Sequence, residues 1–247
     1  MRRSLPSIPW LIFGFVSSLL LQACLRNSSD AYPLSGQACG LARDQWATLK
    51  APVARDQVVT VWVSAEFSPS ERSGIEQSVA EWNAFGQASL GRDLLQVKVG
   101  GYPQLNPSSN IASCKFRGGN EREFAMLKET DLSVWQAMDM SENNPGFTIR
   151  CIEGGRVARQ VVLLNPSLVL PVQFTSVVVH ELGHALGLDH SCQLGSGSET
   201  FLSCRELEDN HAYRQAVMFP SLQVKVSELK DELRTNDMER AHCLYKR

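Results

Sequence analysis

Residues 177–191 read VVVHELGHALGLDHS, and the reading of this stretch decides the fold. His180 and His184 lie four apart, so on a helix both imidazoles leave the same face one turn apart. At that spacing they reach a single ion at about 2.0–2.1 Å. Glu181 sits beside the first of them, where its carboxylate projects next to the ion and bonds a water there without being a ligand. Gly187 comes where the helix must stop, because glycine adopts the left-handed conformation that reverses the chain at little cost. That reversal delivers His190 to the same ion. Three neutral imidazoles leave the fourth tetrahedral position open, the arrangement of a catalytic rather than a closed structural zinc site. With five histidines in the chain, H-E-x-x-H-x-x-G-x-x-H arises by composition on the order of once in a hundred thousand such chains.

Upstream of this stretch the helix is expected to start at Thr175 or Ser176, either of which suits an N-cap. Before it, Phe147–Ile152 and Arg156–Leu164 are extended runs joined through Gly154 and Gly155, the pattern of a hairpin, closed by Asn165 and Pro166. Residues 100–146 carry weak signals, with short apolar pieces such as Phe124–Leu127. Farther back, Val58–Val63 (VVTVWV) suits a strand buried on both faces. Ser68, Pro69 and Glu71 then form a capping box, and Ile75, Val79 and Trp82 recur at helical spacing as one apolar face. The sum is an α+β fold, a twisted mixed sheet packed on helices.

With 247 residues, 43% hydrophobic and 20% charged, the composition is that of a globular protein. Twenty-four Lys and Arg stand against 26 Asp and Glu. Basic residues do not cluster, which argues against nucleic acid as a partner. Arg2 and Arg3 precede an apolar run from Trp10 to Leu21, in secretory-signal order and too short to span a bilayer. The run ends in LQAC, which resembles the lipobox of bacterial lipoproteins and marks Cys24 for lipidation, with Gln22 in place of the usual small residue. Leu25 follows where an Asp would signal inner-membrane retention, so an outer-membrane or cell-surface lipoprotein is expected, with simple secretion as the other outcome. Residues 1–23 are then a signal peptide, 24–55 a polar tether and 56–247 a single catalytic domain. Six further cysteines form an even set in an oxidising compartment. Fifteen pairings are possible. Cys192 with Cys204 is the most local, and Cys114 with Cys151 and Cys39 with Cys243 follow by elimination.

The segment VVVHELGHALGLDHS resembles the active-site helix of the matrixin branch of the metzincin metallopeptidases, in which Ser follows the third histidine as Ser191 does here. AVMFPSL resembles their Met-turn, with Met218 beneath the metal and Pro220 after it. LRTNDMERAHCLY resembles their closing helix. The resemblance implies a metzincin-like catalytic domain with an active-site helix and a C-terminal helix. It further implies one catalytic Zn2+ held by His180, His184 and His190, and endopeptidase activity with Glu181 as general base. Substrate is expected to lie extended along an edge strand, for which Val161, Val162, Leu163 and Leu164 are the candidate. Phe219 to Leu222 are expected to wall the pocket after the cut bond. Three departures stand out. Twenty-seven residues separate His190 from Met218, so an insertion, 191–216, folds over or beside the cleft. The histidines of the usual second zinc site are missing, leaving only His211 and His242 outside the motif, read as a loop and a helix-face residue. No cysteine-switch segment fits ahead of Val58. Two other readings stay open: a gluzincin-type peptidase with Glu206 or Glu208 as third ligand, and a non-catalytic adhesin or scaffold stabilised by zinc.

Overall fold

The β-branched run Val59–Val63 forms strand β1, and its burial on both faces follows from its place inside a five-stranded sheet. The computed structural model describes residues 39–46, 48–102, 114–116, 119–138, 140–197, 201–220 and 229–246. The proposed signal peptide and Cys24 lie outside them. Helix α1 is the short turn Arg43–Trp46, and α2 runs from Pro69 to Leu90. Strands β2 (Leu95–Val99) and β3 (Glu123–Lys128) flank β1, both parallel to it. Helix α3 (Leu132–Ala137) leads to the hairpin of β4 (Gly146–Glu153) and β5 (Arg156–Leu164). Gly154 and Gly155 turn it with φ of 57° and 76°, a pair of positive angles that matches strand twist. β5 runs parallel to β3 and antiparallel to β4, giving the order β2-β1-β3-β5-β4.

This order corrects the expected substrate edge. Val161–Leu164 of β5 are paired on one side with β3 and on the other with β4, and all four are buried. A continuous apolar run of this kind fits an interior strand, because both faces need covering. Val162 and Leu164 enter the main core, while Val161 and Leu163 point to a second core with Phe116, Trp135 and Ile149. β4 is the edge.

On the main-core face, α2 packs against α4, Pro171–Leu186. Ile75, Val79 and Trp82 are buried as their spacing required, and the Trp82 indole donates to the Val179 carbonyl at 3.0 Å. α4 starts earlier than Thr175. Pro171 takes the first position and Gln173 Oε1 accepts from the Leu170 amide, so a glutamine replaces the expected hydroxyl cap. The body also begins earlier than residue 56: Leu49, Ala51 and Val53 are buried, Leu49 bridges Leu188, and Cys39 is bonded to Cys243. The stretch is polar enough to read as a tether, yet its few apolar residues cover the end of α4. Cys114–Cys151 and Cys192–Cys204 are the other disulfides.

The chain closes with α5 (Ala212–Gln215) and α6 (Thr235–Tyr245). Asp237, fully buried in the first turn of α6, accepts from the amides of Val217 at 2.8 Å and Met218 at 3.1 Å, and pairs with the equally buried Arg240 at 3.6 Å. Arg240 donates on to the Asp189 carbonyl at 3.0 Å. One carboxylate therefore fixes the turn that carries Met218 and, through Arg240, the turn before His190.

Two consequences are measurable. At the start of α2, burial alone raises the Glu71 pKa, but the Ser68 amide at 2.6 Å and the Lys128 ammonium at 2.9 Å outweigh it and hold the carboxyl below its ordinary 4.5. Glu71→Gln is expected to cost about 1–2 kcal/mol near neutrality in denaturant unfolding, the range of a lost cap and ion pair. A folded pKa below the unfolded one stabilises above 4.5 and is lost as pH falls through the folded value, so the gap between the two proteins closes under acid. Asp237→Ala leaves the buried Arg240 without its paired carboxylate and is expected to cost about 3–5 kcal/mol. A loss under about 1 kcal/mol would show that the Met218 segment is held by other contacts.

Candidate metal centre and cleft

Sixteen residues of α4 bring His180 and His184 to one face, and the helix ends at Gly187 with φ 111°, its amide bonded to the carbonyls of Gly183 and His184. A Cβ at Gly187 would stand 2.8 Å from the Ala51 oxygen, so the reversal needs glycine for space as well as for φ. The chain then returns His190 to the two helical imidazoles. Ring centroids are 4.7 Å apart for His180 and His184, 4.7 Å for His184 and His190, and 5.3 Å for His180 and His190. Among the described residues this is the one group of three or more His, Cys, Asp or Glu able to share an ion, their ligand atoms all within 4.8 Å of each other.

The donor set fits zinc. His180 Nδ1 lies 2.7 Å from the Val217 carbonyl and His184 Nδ1 lies 2.8 Å from the Leu188 carbonyl. A carbonyl only accepts, so Nδ1 carries the proton in both rings and Nε2 keeps its lone pair. His184 Nε2 is 3.2 Å from His190 Nε2, close to the roughly 3.3 Å edge of a tetrahedron with bonds of about 2.0–2.1 Å. Burial, reinforced by the neighbouring His190, pushes His180 down to about 3; burial lowers His184 and His190 as well. The cluster is thus neutral at physiological pH, as metal ligands must be.

Met218 is fully buried. A Cβ on Gly183 would meet its sulfur at 2.3 Å, so only glycine lets the thioether lie against α4 at that point. The Met218 carbonyl accepts from Ser191 N at 2.8 Å, tying the residue after the third histidine to the methionine.

Glu181 is buried beside the ligands. The Thr148 hydroxyl, on edge strand β4, lies 2.7 Å from Glu181 Oε2 and 3.0 Å from the Glu181 carbonyl oxygen. Burial raises this carboxyl to about 7 against the lowering effect of Thr148. Gly146, two residues earlier on β4, admits the side chain: a Cβ there would stand 2.8 Å from Glu181 Cγ. The group opens on a cleft of about 980 Å³, bordered by β4 residues Gly146, Thr148, Arg150 and Ile152, by Leu168 and Val169, and by Leu188 and Leu194.

Of the expected wall residues, Pro220 borders the cleft, whereas the Phe219 ring lies under Arg214 and Lys230, at 5.5 and 4.2 Å. Leu222 lies outside the described residues. Val161–Leu164 do not reach the cleft. Glu206 and Glu208 are exposed on the insertion and stand apart from the three imidazoles. His211 caps α5, its Nδ1 accepting from Tyr213 N at 3.2 Å, and His242 is half-buried on α6. Sequence reasoning missed Thr148, Gly146 and Asp237. Thr148 bore a weak signal as a polar residue on the cleft-facing side of a predicted hairpin strand. Asp237 had none, since an acidic residue in a first helical turn is ordinary.

Comparison with known proteins finds a family resemblance over part of the chain. The model of the family described as matrixin matches residues 116–203, a segment that holds β3 to β5, α4 and all three histidines. No curated protein matches the chain. Among solved structures, myroilysin is similar at 16% identity and TM-score 0.38, over 81% of this chain and 96% of its own. High choriolytic enzyme 1, a hatching-enzyme zinc-protease from the medaka fish Oryzias latipes, is similar at 14% identity and TM-score 0.38, over 81% and 94%. Likeness at that level carries no weight beside the family match and the imidazole cluster. On those two findings the chain is similar to matrixin over that segment and is a zinc metallopeptidase with one catalytic zinc ion.

Proposed function

We propose that this metallopeptidase is an endopeptidase in which Glu181 is the general base and His180, His184 and His190 hold the ion. The observation that carries the reading is the Glu181 carboxylate, buried in the same cleft as the three imidazoles and held, among the described residues, by one oxygen only, at Thr148. The zinc, when bound, supplies a Lewis acid that lowers the pKa of a cleft water towards about 7 and polarises the scissile carbonyl. With Oε2 engaged by Thr148, Oε1 is left to take the proton of that water as its oxygen adds to the carbonyl carbon. The same carboxyl then passes the proton to the amide nitrogen as the C–N bond breaks, releasing an acid and an amine. Extended substrate pairs with β4, the terminal strand along the cleft, through backbone hydrogen bonds. A main-chain grip of this kind suits bonds inside a chain rather than at its ends.

The three disulfides point to an exported protein. Within that, we assign residues 1–23 as a lipoprotein signal and Cys24 as the lipidated first residue of an outer-membrane or cell-surface enzyme. The residues between Cys24 and Cys39 would then join lipid to body, and the catalytic domain would begin near Cys39. Neither the gluzincin nor the scaffold reading gains support: Glu206 and Glu208 lie away from the imidazoles, and a zinc used only for stability has no need of a buried carboxylate beside it.

Glu181→Ala is expected to keep one zinc per chain by elemental analysis while cleavage of a peptide library falls by at least about a hundredfold, the lower range for a general base. Activity equal to the parent would refute the role. Chelation should abolish cleavage, and added zinc should restore it. Cys24→Ser, made in the full-length gene, is expected to move the protein from the membrane fraction to the soluble exported fraction; unchanged membrane association would refute lipid anchoring at this residue.

A further inference from the structure

Arg150 lies on β4 two residues beyond Thr148 and borders the catalytic cleft. Its Nε donates to Gln160 Oε1 at 3.0 Å, on the paired residue of β5, and its Nη2 donates to the Ala51 carbonyl. Both partners are neutral acceptors. A guanidinium carries five N–H donors, so these bonds leave three for other acceptors. No carboxylate among the described residues pairs with it. Two carboxylates border the cleft, and both are engaged: Asp189 accepts from Lys50 at 3.2 Å and from the His190 amide at 2.9 Å, and Glu181 accepts from Thr148. Burial draws the Arg150 pKa down to about 10, against the raising influence of Tyr245 and Asp189.

A desolvated, permanently charged fork at the wall of an open cleft is costly unless an anion meets it. Building on the endopeptidase reading, we propose that Arg150 forms an acid-selective subsite, which takes a Glu or Asp side chain of the peptide substrate two or three residues from the cut bond. The distance follows from strand geometry, since Arg150 stands two residues, about 7 Å, along the edge strand from the residue that holds the general base. Planar bidentate pairing with a carboxylate uses donors that the protein leaves over. Lys50, on the same wall, is already bound to Asp189 and so does not compete for the ligand.

The test scores cleavage of a mixed decapeptide library by mass spectrometry, as the ratio of kcat/KM for Glu over Gln at each position relative to the cut. Wild-type protein is expected to favour Glu about tenfold or more at one position two or three residues from the bond. Arg150→Met should bring that ratio near one while neutral peptides are cleaved within about threefold of wild type, and Arg150→Lys should retain part of the preference. Gln160→Glu gives an independent check that does not remove Arg150. Gln160 is fully buried with its Nε2 unpaired, so the near-isosteric carboxylate supplies the missing counter-charge from within and should also erase the preference. Absence of any Glu preference in wild type, or equal loss of acidic and neutral cleavage in Arg150→Met with Gln160→Glu unaltered, overturns the subsite. Fluorescence polarisation of labelled Glu- and Gln-containing library pools on Glu181→Ala separates the two claims. A protein that cleaves nothing yet binds the Glu pool more tightly, and loses this in Arg150→Met, refutes the endopeptidase reading and keeps the subsite; equal binding of both pools overturns the subsite.

Discussion

Two main-chain carbonyl oxygens decide which nitrogen each helical histidine offers. Val217 O and Leu188 O accept from Nδ1 of His180 and His184, so each ring presents an unprotonated Nε2 to the shared centre. In water an imidazole exchanges tautomers freely. Here burial removes the competing solvent, and the wrong tautomer would leave a lone pair facing a carbonyl. Much of the fold around the site serves to place those two oxygens. Val217 is held by Asp237 of α6, whose amide contacts to Val217 and Met218 extend a buried chain through Arg240 to the Asp189 carbonyl. Leu188 is placed by the reversal at Gly187 and by its bridge to Leu49. The segment ahead of β1 and the last helix, the parts farthest apart in sequence, thus converge on one turn and are joined by Cys39–Cys243.

The same constraint explains why the third ligand does not lie on the helix. Positions 180 and 184 exhaust one face over one turn. A residue at 187 or 188 would carry the next side chain of that face past the centre along the helix axis, since each turn advances 5.4 Å. Reversing the chain at Gly187 brings His190 back to the level of the other two, with its backbone amide fixed by Asp189 Oδ1 and its neighbour Ser191 by Met218 O. The ion site is therefore made by helix, turn and Met218 segment together.

How much of this the sequence revealed depends on whether the signal was local. Spacing within HELGHALGLDH fixed the face of the helix and the place of its reversal, because the 3.6-residue period and the tolerance of glycine for positive φ act over a few residues. The α2 capping box and the Gly154–Gly155 turn were legible for the same reason. The edge strand was misread, because burial on both faces is a tertiary fact: Val161–Leu164 looks apolar enough for either role, and only its pairing with both β3 and β4 shows that it is interior. Residues 24–55 read as a tether because they are polar and carry no sustained period, although Leu49, Ala51 and Val53 within them are buried. Thr148 acts on a residue 33 positions away and left only the weak signal of a polar residue on a predicted strand, and Asp237 acts 19 to 20 positions away, beyond the reach of any local pattern.

A long insertion between His190 and Met218 would seem to threaten a centre that depends on the two being in register. The structure removes the conflict by closing the insertion at its base. Ser191, the residue after the third histidine, donates its amide to Met218 O and its hydroxyl to Tyr213 O at 2.7 Å, so the two ends meet directly. Within the excursion, Cys192–Cys204 and the Gln193–Ser203 bridge form a second, nested closure. Loop entropy grows only logarithmically, each doubling of length costing about 0.6 kcal/mol, and a cross-link takes most of that cost out of the unfolded chain. Length added beyond these closures is nearly free and leaves the metal geometry undisturbed. Among the described residues, what the insertion brings to the cleft is Leu194, half exposed. The extra chain thus modifies the wall that a substrate meets, while the imidazoles that set the chemistry keep the spacing that their helix and turn impose.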